Sequence, residues 1–392
     1  MRATLRPVHF ADRAELELAQ LNALRAHVAD VSARSPFYRA LLQQHGLGVN
    51  DLGALTDIQH FPFTTRTDLA TRSAEFASVP PRAIIEHVST SGTTGHPVPF
   101  VLSEADLERL AANEANSLAS TGITADDIVQ ITTTLDDRFI AGLAYHSGLR
   151  MLGAGILRMG PGNAAAQWRA MLDRGTTALI AVPSFVLRLL EHAEQHDIDP
   201  NSTRVRRIIC IGEPIATSIG RPNALAERIR ARWNVALHGT YASTESATAS
   251  TELLPGTGHA VQEHLLFTEV LDEQDRPVEE GGVGELVITP LQVEAMPLLR
   301  FRTGDVCSWQ RSERADGSYG TILGPIQGRK GQRMKIKGTT LFPAQVIDAL
   351  SADPRIVRFA AVREHDMHGL DRLRVLLDAP ADALPAIAEA LR

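Results

Sequence analysis

Residues 89–97 read Ser-Thr-Ser-Gly-Thr-Thr-Gly-His-Pro, which packs five hydroxyls and two glycines into positions 89–95. Glycine lets a backbone turn tightly and approach a ligand closely. Successive N–H groups in such a turn form a concave anion site, and Ser and Thr hydroxyls add adjustable donors. That chemistry suits a polyphosphate; a polar surface turn is the plainer alternative. Ile84–Val88 and Val98–Leu102 predict a strand on either side of the loop. A Walker loop instead opens a helix and carries Gly-Lys-Ser/Thr. No such triplet follows here, which disfavours an ordinary P-loop kinase or GTPase.

Three other segments carry chemistry. In His238-Gly239-Thr240-Tyr241-Ala242-Ser243-Thr244-Glu245, Tyr241 can stack on a planar base, Thr244 can donate to a phosphate oxygen and Glu245 can hold Mg²⁺. Mg²⁺ takes one or two carboxylates and leaves its other positions to phosphate and water. The alternative is a capped loop with a solvated Glu245. In Arg300-Phe301-Arg302-Thr303-Gly304-Asp305-Val306, a carboxylate follows a glycine at a predicted strand end, suited to accept both ribose hydroxyls. Each such charge-assisted bond contributes roughly 1.5–3 kcal/mol. Here the alternative is a turn pairing Asp305 with Arg302. Finally, Gly328-Arg329 is followed by Arg333, Lys335 and Lys337, either a cationic hinge that closes over a nucleotide or a solvated basic strand edge.

These residues must be held by a scaffold, and its pattern is legible. Residues 13–46 have helical spacing broken at Ser35-Pro36, with a second helix over Phe37–His45. Leu55–Leu69 reads as loop-rich. Helices are predicted at 104–121, 164–174, 184–196 and 217–232, and buried strands at Ile128–Thr133, Ala178–Val182 and Val205–Ile211. That alternation predicts an α/β fold with substantially parallel sheet. From residue 261 strands dominate, at Leu265–Leu271, Gly284–Thr289 and Leu298–Cys307. Past the hinge, a helix over Leu341–Leu350 and strands over Ile356–Val362 and Leu373–Leu377 are expected. The expected organisation is a large N-terminal domain, 1–327, with mixed and parallel sheets flanked by helices and a β-rich subdomain at about 261–327. A hinge at 328–331 and a small α+β C-terminal lid, 332–392, complete it.

Composition narrows the function. The 392 residues are 44% hydrophobic and 22% charged with a net charge of −7, which is ordinary for a globular chain of two or three domains, or of one large domain with an appendage. No basic tract points to nucleic acid and no apolar run is long enough for a bilayer. The N-terminus lacks a secretory apolar core. Cys210 and Cys307 are the only cysteines, too few for a thiolate zinc cluster and no sign of a disulfide scaffold. A cytoplasmic protein is expected.

The four segments occur in the order found in adenylate-forming enzymes, the ANL superfamily, and in detail the chain resembles the phenylacetate–CoA ligase branch. Further matches are Ser35-Pro36-Phe37-Tyr38-Arg39, Phe61-Pro62-Phe63-Thr64-Thr65, Phe139–Gly153, Gly212-Glu213-Pro214 and His259 with Glu263-His264. Gly284-Glu285-Leu286-Val287, Met296-Pro297-Leu298 and Leu341-Phe342-Pro343 extend the resemblance over about residues 20–350. The resemblance implies an AMP-forming acid–thiol ligase: ATP and Mg²⁺ activate a carboxylic acid, aromatic by family habit, as an acyl-adenylate, and coenzyme A displaces AMP. By match, Ser91, Gly92, Thr93, Thr94 and Gly95 would grip phosphates, and Gly212, Glu213 and Pro214 would border the adenine. Tyr241 would stack on it, Thr244 would contact the α-phosphate, Glu245 would bind Mg²⁺, Asp305 would hold the ribose and Arg329 would assist near ribose and phosphates. Thr244, Glu245 and Arg329 would thus be the catalytic residues. Phe139, Ala141, Gly142, Tyr145, His146, His238 and Gly239 would wall the acyl pocket, where small residues leave room for a ring.

The chain also departs from the family pattern. His96 stands where the phosphate loop usually has Lys, and Gly331 where the hinge usually has Asp. The family lid is longer and carries a late lysine; no lysine follows Leu350 here. The lid is therefore expected to be natively short or shortened, with Lys335 or Lys337 as weak deputies for the lysine. Transfer to a carrier protein, an amine or another nucleophile of specialised metabolism is the second expectation, and a nucleotide-binding module without catalysis the third. A homodimer is left open.

Overall fold

The computed structural model describes residues 8–90, 97–336, 339–353, 355–356, 358–365 and 371–390. The core of the hydroxyl-rich loop (Ser91, Gly92, Thr93, Thr94, Gly95 and His96) and Lys337 lie outside the described residues.

The N-terminal run is two helices, α1 (Arg13–Arg34) and α2 (Pro36–His45), with Ser35 closing the first and its side chain capping the second. Pro36 suits a helix start because its missing N–H would have no partner there. The stretch expected to be loop-rich runs instead into α3 (Arg66–Phe76), opened by a capping box in which Thr65 and Asp68 exchange bonds. Next come the antiparallel β1 (Glu86–Ser89) and β2 (Pro99–Leu102), which hold the two ends of the hydroxyl-rich loop together. Thr90 Oγ1 accepts from the Val98 amide at 3.0 Å, and the Thr90 amide donates to the Val98 carbonyl at the same distance.

An alternating series follows: α4 (Glu104–Ser120), β3 (Ile128–Ile131), α5 (Ile140–Leu152), β4 (Gly155–Arg158), α6 (Ala164–Arg174), β5 (Ala178–Ala181), α7 (Pro183–Gln195) and β6 (Arg207–Cys210). The helix expected at 217–232 is shorter. A hairpin, β7 (Ala216–Ser218) and β8 (Arg221–Pro222), precedes α8 (Ala224–Arg230), because Gly220 turns left-handed at φ 77° and Asn223 caps the helix. The β-rich part comprises β9 (Ala236–Ser243), β10 (Thr248–Thr251), β11 (His259–Ala260), β12 (Leu266–Leu271), β13 (Val283–Pro290), β14 (Phe301–Glu313), β15 (Tyr319–Leu323) and β16 (Gly328–Arg329). A tail of β17 (Met334–Ile336), β18 (Thr339–Leu341), α9 (Pro343–Ser351), β19 (Arg358–His365), β20 (Asp371–Asp378) and α10 (Leu384–Ala390) completes the described chain.

One sheet joins the two halves in the order β12-β13-β14-β15-β11-β10-β9-β6-β5-β3-β4, with β16 on β14. The strands from β4 to β9 are parallel, and from β9 outward they are antiparallel. The chain steps from β3 to β4 on one side, then returns to β5 on the other. Such a reversal leaves a crevice at the carboxyl ends of β3 and β5, where open α/β sheets bind ligands. Val129, Ile131, Leu149 and Ile180 form the core between this sheet and α4–α5. Two glycines bring α5 close. A Cβ at Gly142 would lie 2.0 Å from the Thr134 carbonyl oxygen, and one at Gly148 2.5 Å from Glu114 Cβ.

The tail docks on the large domain through α9, where Asp348 Oδ1 accepts from the Ala224 amide at 2.7 Å, and through Lys330, which meets Glu285 at 3.0 Å. No helix among the described residues is long and apolar enough to cross a membrane.

Candidate active site

The turn between β9 and β10 projects Thr244 and Glu245. It is closed by reciprocal serine bonds: the Ser243 amide donates to Ser246 Oγ at 3.1 Å and the Ser246 amide to Ser243 Oγ at 3.0 Å. From α4, the buried Arg109 fixes the turn's far side. Its guanidinium donates to the Ala247 carbonyl and Thr248 Oγ1, and to the Leu265 and Leu291 carbonyls, at 2.5–2.9 Å. Burial pulls Arg109 down to about 10, which leaves it charged at neutral pH. The turn that carries the two site residues is thus tied to both halves of the molecule.

Asp305 lies on β14 opposite Arg329 of β16. Tyr241 donates its hydroxyl to Asp305 Oδ2 at 2.8 Å, and Arg329 Nε donates to Oδ1 at 3.2 Å. Burial raises Asp305 above the ordinary carboxylate range, opposed by the Tyr241 bond and the Arg329 charge. Burial and the Asp305 charge push Tyr241 well above its usual range, so it stays a donor. Arg302, the alternative partner, bonds Glu285 and Asp275 instead. Arg300 is a strut, buried beside Glu269 at 2.7 Å with a further bond to the Phe61 carbonyl.

Thr244, Glu245, Arg329 and Gly212 line one cavity of about 460 Å³ at the carboxyl ends of the parallel strands, with Thr133 after β3 and Val182 after β5. Asp305 and Tyr241 are not among its lining residues; Asp305 is bonded to Arg329, which is, and Tyr241 to Asp305. Glu213 is pinned at the start of α7, accepting from the Ser184 amide at 2.9 Å and Oγ at 2.8 Å. The Pro214 carbonyl accepts from Asn223 at 2.8 Å. Neither residue lines this cavity.

Of the seven residues expected on the acyl wall, Phe139, Ala141 and Tyr145 line the cavity. The other four stand elsewhere. Gly142 is covered by the Thr134 carbonyl, and His146 sits half-buried near Arg150 and Arg158, its pKa lowered by burial and those charges. His238 is buried in β9 with Nδ1 against the Glu252 carbonyl at 3.0 Å, and burial lowers its pKa. Gly239 donates its amide to Glu252 Oε2 at 2.9 Å. The last two lie further back along β9, buried in the sheet, whereas Thr240, Ala242 and Ser243 toward its end line the cavity.

Sequence reading missed two residues. Arg66, at the first turn of α3, lines the cavity with Nη1 3.9 Å from Glu245 and Nη2 buried without a hydrogen-bond partner among the described residues. It directly follows Thr64-Thr65, so its signal was a cation at the end of a motif. Glu114 of α4 also lines the cavity, and burial pushes its carboxyl up to about 8. Its signal was an acid within the apolar stripe Leu107, Leu110, Ala111, Ala115 and Leu118. Lys335 is not on this cavity, where Arg66 and Arg329 are the cations among the described residues.

A phenylacetate–coenzyme A ligase of Aromatoleum evansii is 28% identical over 389 residues, covering 97% of this chain and 85% of the relative. One from Thermus thermophilus is 29% identical over 350 residues, covering 88% and 77%. A crystal structure of a 2-hydroxyisobutyryl-CoA ligase in a postadenylation state shares the fold, with a TM-score of 0.86 at 22% identity over 98% of this chain and 82% of that one. Residues 37–294, well over half of the chain, match the family of AMP-binding enzymes, and to that family this protein belongs.

Proposed function

We propose that this protein is an AMP-forming acid–coenzyme A ligase. It activates a carboxylic acid, an aromatic one, with ATP as an acyl-adenylate and passes the acyl group to the thiol of coenzyme A. One observation carries the reading: Thr244, Glu245 and Arg329 meet on a single cavity at the sheet's reversal, with Asp305 and Tyr241 tied to Arg329.

The chemical difficulty is that two anions must meet. A carboxylate oxygen attacks the α-phosphorus, and pyrophosphate leaves with the electron pair of the broken P–O bond. The protein answers with fixed donors and cations, which lower the cost of charge developing in the transition state. Thr244 offers a hydroxyl to the α-phosphate. Asp305 accepts from the ribose hydroxyls, and Arg329 keeps that carboxylate in place while presenting its remaining N–H groups to phosphate. Arg66 brings a second cation to the wall that carries Glu245. The backbone of residues 91–95 is assigned to the outer phosphates. Glu245 fits Mg²⁺ because its nearest cation stands off at 3.9 Å and leaves its lone pairs available. The described residues offer no cluster of three ligands, so phosphate and water would complete the shell. When bound, Mg²⁺ supplies charge neutralisation on the phosphates. Residues 328–331 are assigned as the hinge, and the tail as a small lid. Both cysteines are buried free thiols, in keeping with a cytoplasmic protein.

The test is acid-dependent exchange of pyrophosphate into ATP over a panel of aryl acids. Absence of exchange with every acid would overturn the reading. Product mass with coenzyme A present, against a carrier protein or an amine, identifies the acceptor. Particle size in solution settles whether the enzyme is a homodimer.

A further inference from the structure

Glu114 and Tyr145 face the cavity with polar ends that the protein leaves unserved. Glu114 is 4% and Tyr145 3% exposed, and both line the cavity. Among the described residues neither side chain has a hydrogen-bond partner. They are neighbours on facing helices, α4 and α5, close enough for the Glu114 carboxylate to add to the burial that raises Tyr145. Gly148 makes the placement possible, since any side chain there would collide with Glu114.

One turn and a half earlier on α4, Arg109 is buried to a similar degree, yet it meets acceptors on all sides. Helix α4 therefore satisfies a buried charge where the protein alone must do so. A buried carboxyl without a partner is unfavourable. At 114 the carboxyl borders the cavity, where a substrate group can meet it. The reacting end of an acyl substrate belongs at the wall of Thr244 and Arg329, so its far end reaches the wall of α4 and α5. Leu110, Ile140, Ala144 and Phe139 make the rest of that end apolar, with room for a ring.

Resting on the ligase reading above, we propose that this enzyme selects aryl acids that carry an N–H or O–H donor on the ring, with Glu114 as its acceptor and the Tyr145 hydroxyl as a second contact. Both an amine and a phenol supply that chemistry.

The experiment compares kcat/KM for pyrophosphate exchange with unsubstituted, methyl-, hydroxy- and amino-substituted benzoates and phenylacetates. It uses the intact enzyme and the Glu114→Met variant. A site built to bond a donor rejects the analogue that lacks it, so the wild type should favour an amino or hydroxy acid over its methyl isostere by about 100-fold or more. Glu114→Met should reverse that order and turn over the methyl or unsubstituted acid better than the wild type does. The amino and hydroxy arms distinguish the two donors. Equal use of the methyl and donor acids by the wild type overturns the proposal while leaving the ligase reading intact; a preference that survives in Glu114→Met also overturns it. Exchange with no acid at all overturns both. Should the variant fail to fold, the wild-type panel alone decides.

Discussion

The two ends of the cavity follow opposite rules. At the β9–β14 end, Asp305 already has its partners in Tyr241 and Arg329. At the α4–α5 end, the acid and the phenol have no hydrogen-bond partner among the described residues. The difference separates general from particular recognition. A nucleotide brings the same ribose and phosphates each time, so on the proposed reading their receptors can be held in a pre-arranged network. The acid is what distinguishes one such enzyme from another, and on the proposal above a donor on its ring meets Glu114 and Tyr145 there.

The largest effect is expected where the paired end meets the chemistry. Glu245→Ala should lower acid-dependent pyrophosphate exchange by about 100-fold or more, the scale seen when a group that stabilises transition-state charge is removed. The loss should persist at saturating Mg²⁺. A rate within a few-fold of wild type would mean that the turn between β9 and β10 does not serve the phosphates, and the contrast between the ends would fall.

The second prediction probes the unpaired end without substrate. The Glu114 carboxyl is raised from 4.5 to about 8 by burial. Below pH 4.5 it is protonated in folded and unfolded chains alike, and its contribution to stability is fully present. Between pH 4.5 and 8 the unfolded chain releases the proton and the folded one does not, so stability falls by about 1.4 kcal/mol per pH unit. Above that range the loss is complete. Glu114→Gln has no proton to lose. Its urea midpoint should gain on the wild type steadily as pH rises from 5 to 8. Parallel curves would show that the protein itself serves Glu114.

How much of this was legible in the sequence depends on whether the signal is local. Ser35-Pro36 placed the break between α1 and α2, and α6 was read at its observed bounds, because caps and turn residues act over a few positions. The start of α3 had a local signal too, the Thr65–Asp68 box, but Pro62 and the threonines drew attention to loop. The helix α5 carries Gly142 and Gly148, poor helix formers whose purpose is close approach to Thr134 and Glu114; that is a tertiary reason, invisible in one dimension. At the site, Tyr241, Thr244, Glu245, Asp305 and Arg329 stood out because each belongs to a compact run of polar residues. Arg66 and Glu114 did not, since their meaning comes from other segments: Arg66 meets Glu245 on the β9–β10 turn, and Glu114 meets Tyr145 and Gly148 on the facing helix. His238 and Gly239 were placed on the cavity wall by the family resemblance, whereas the strand buries them.

A smaller effect is expected at the ribose. Asp305→Asn keeps the shape and removes the charge. It should raise the KM for ATP by about 10- to 100-fold, in line with roughly 1.5–3 kcal/mol for a charge-assisted bond. The wild type should prefer ATP to 2′-deoxy-ATP, and the variant should lose most of that preference. If both enzymes discriminate equally, Asp305 serves Arg329 and Tyr241 alone.

The smallest effect separates the two parts of Tyr241. Its hydroxyl is already spent on Asp305, and its ring packs against the core that runs under the β-rich strands. Tyr241→Phe removes one hydrogen bond, worth about 1 kcal/mol, and should raise the KM for ATP about five-fold with kcat near wild type. Tyr241→Leu also removes the aromatic face. If that face meets the adenine, the leucine variant should bind ATP worse than the phenylalanine variant by a further 1–3 kcal/mol, about the worth of one base stacked on an aromatic ring. Equal KM values for the two variants would confine Tyr241 to orienting Asp305. Recognition of the base would then rest with Gly212 and its neighbours, and the pre-arranged end of the cavity would be built for ribose and phosphate alone.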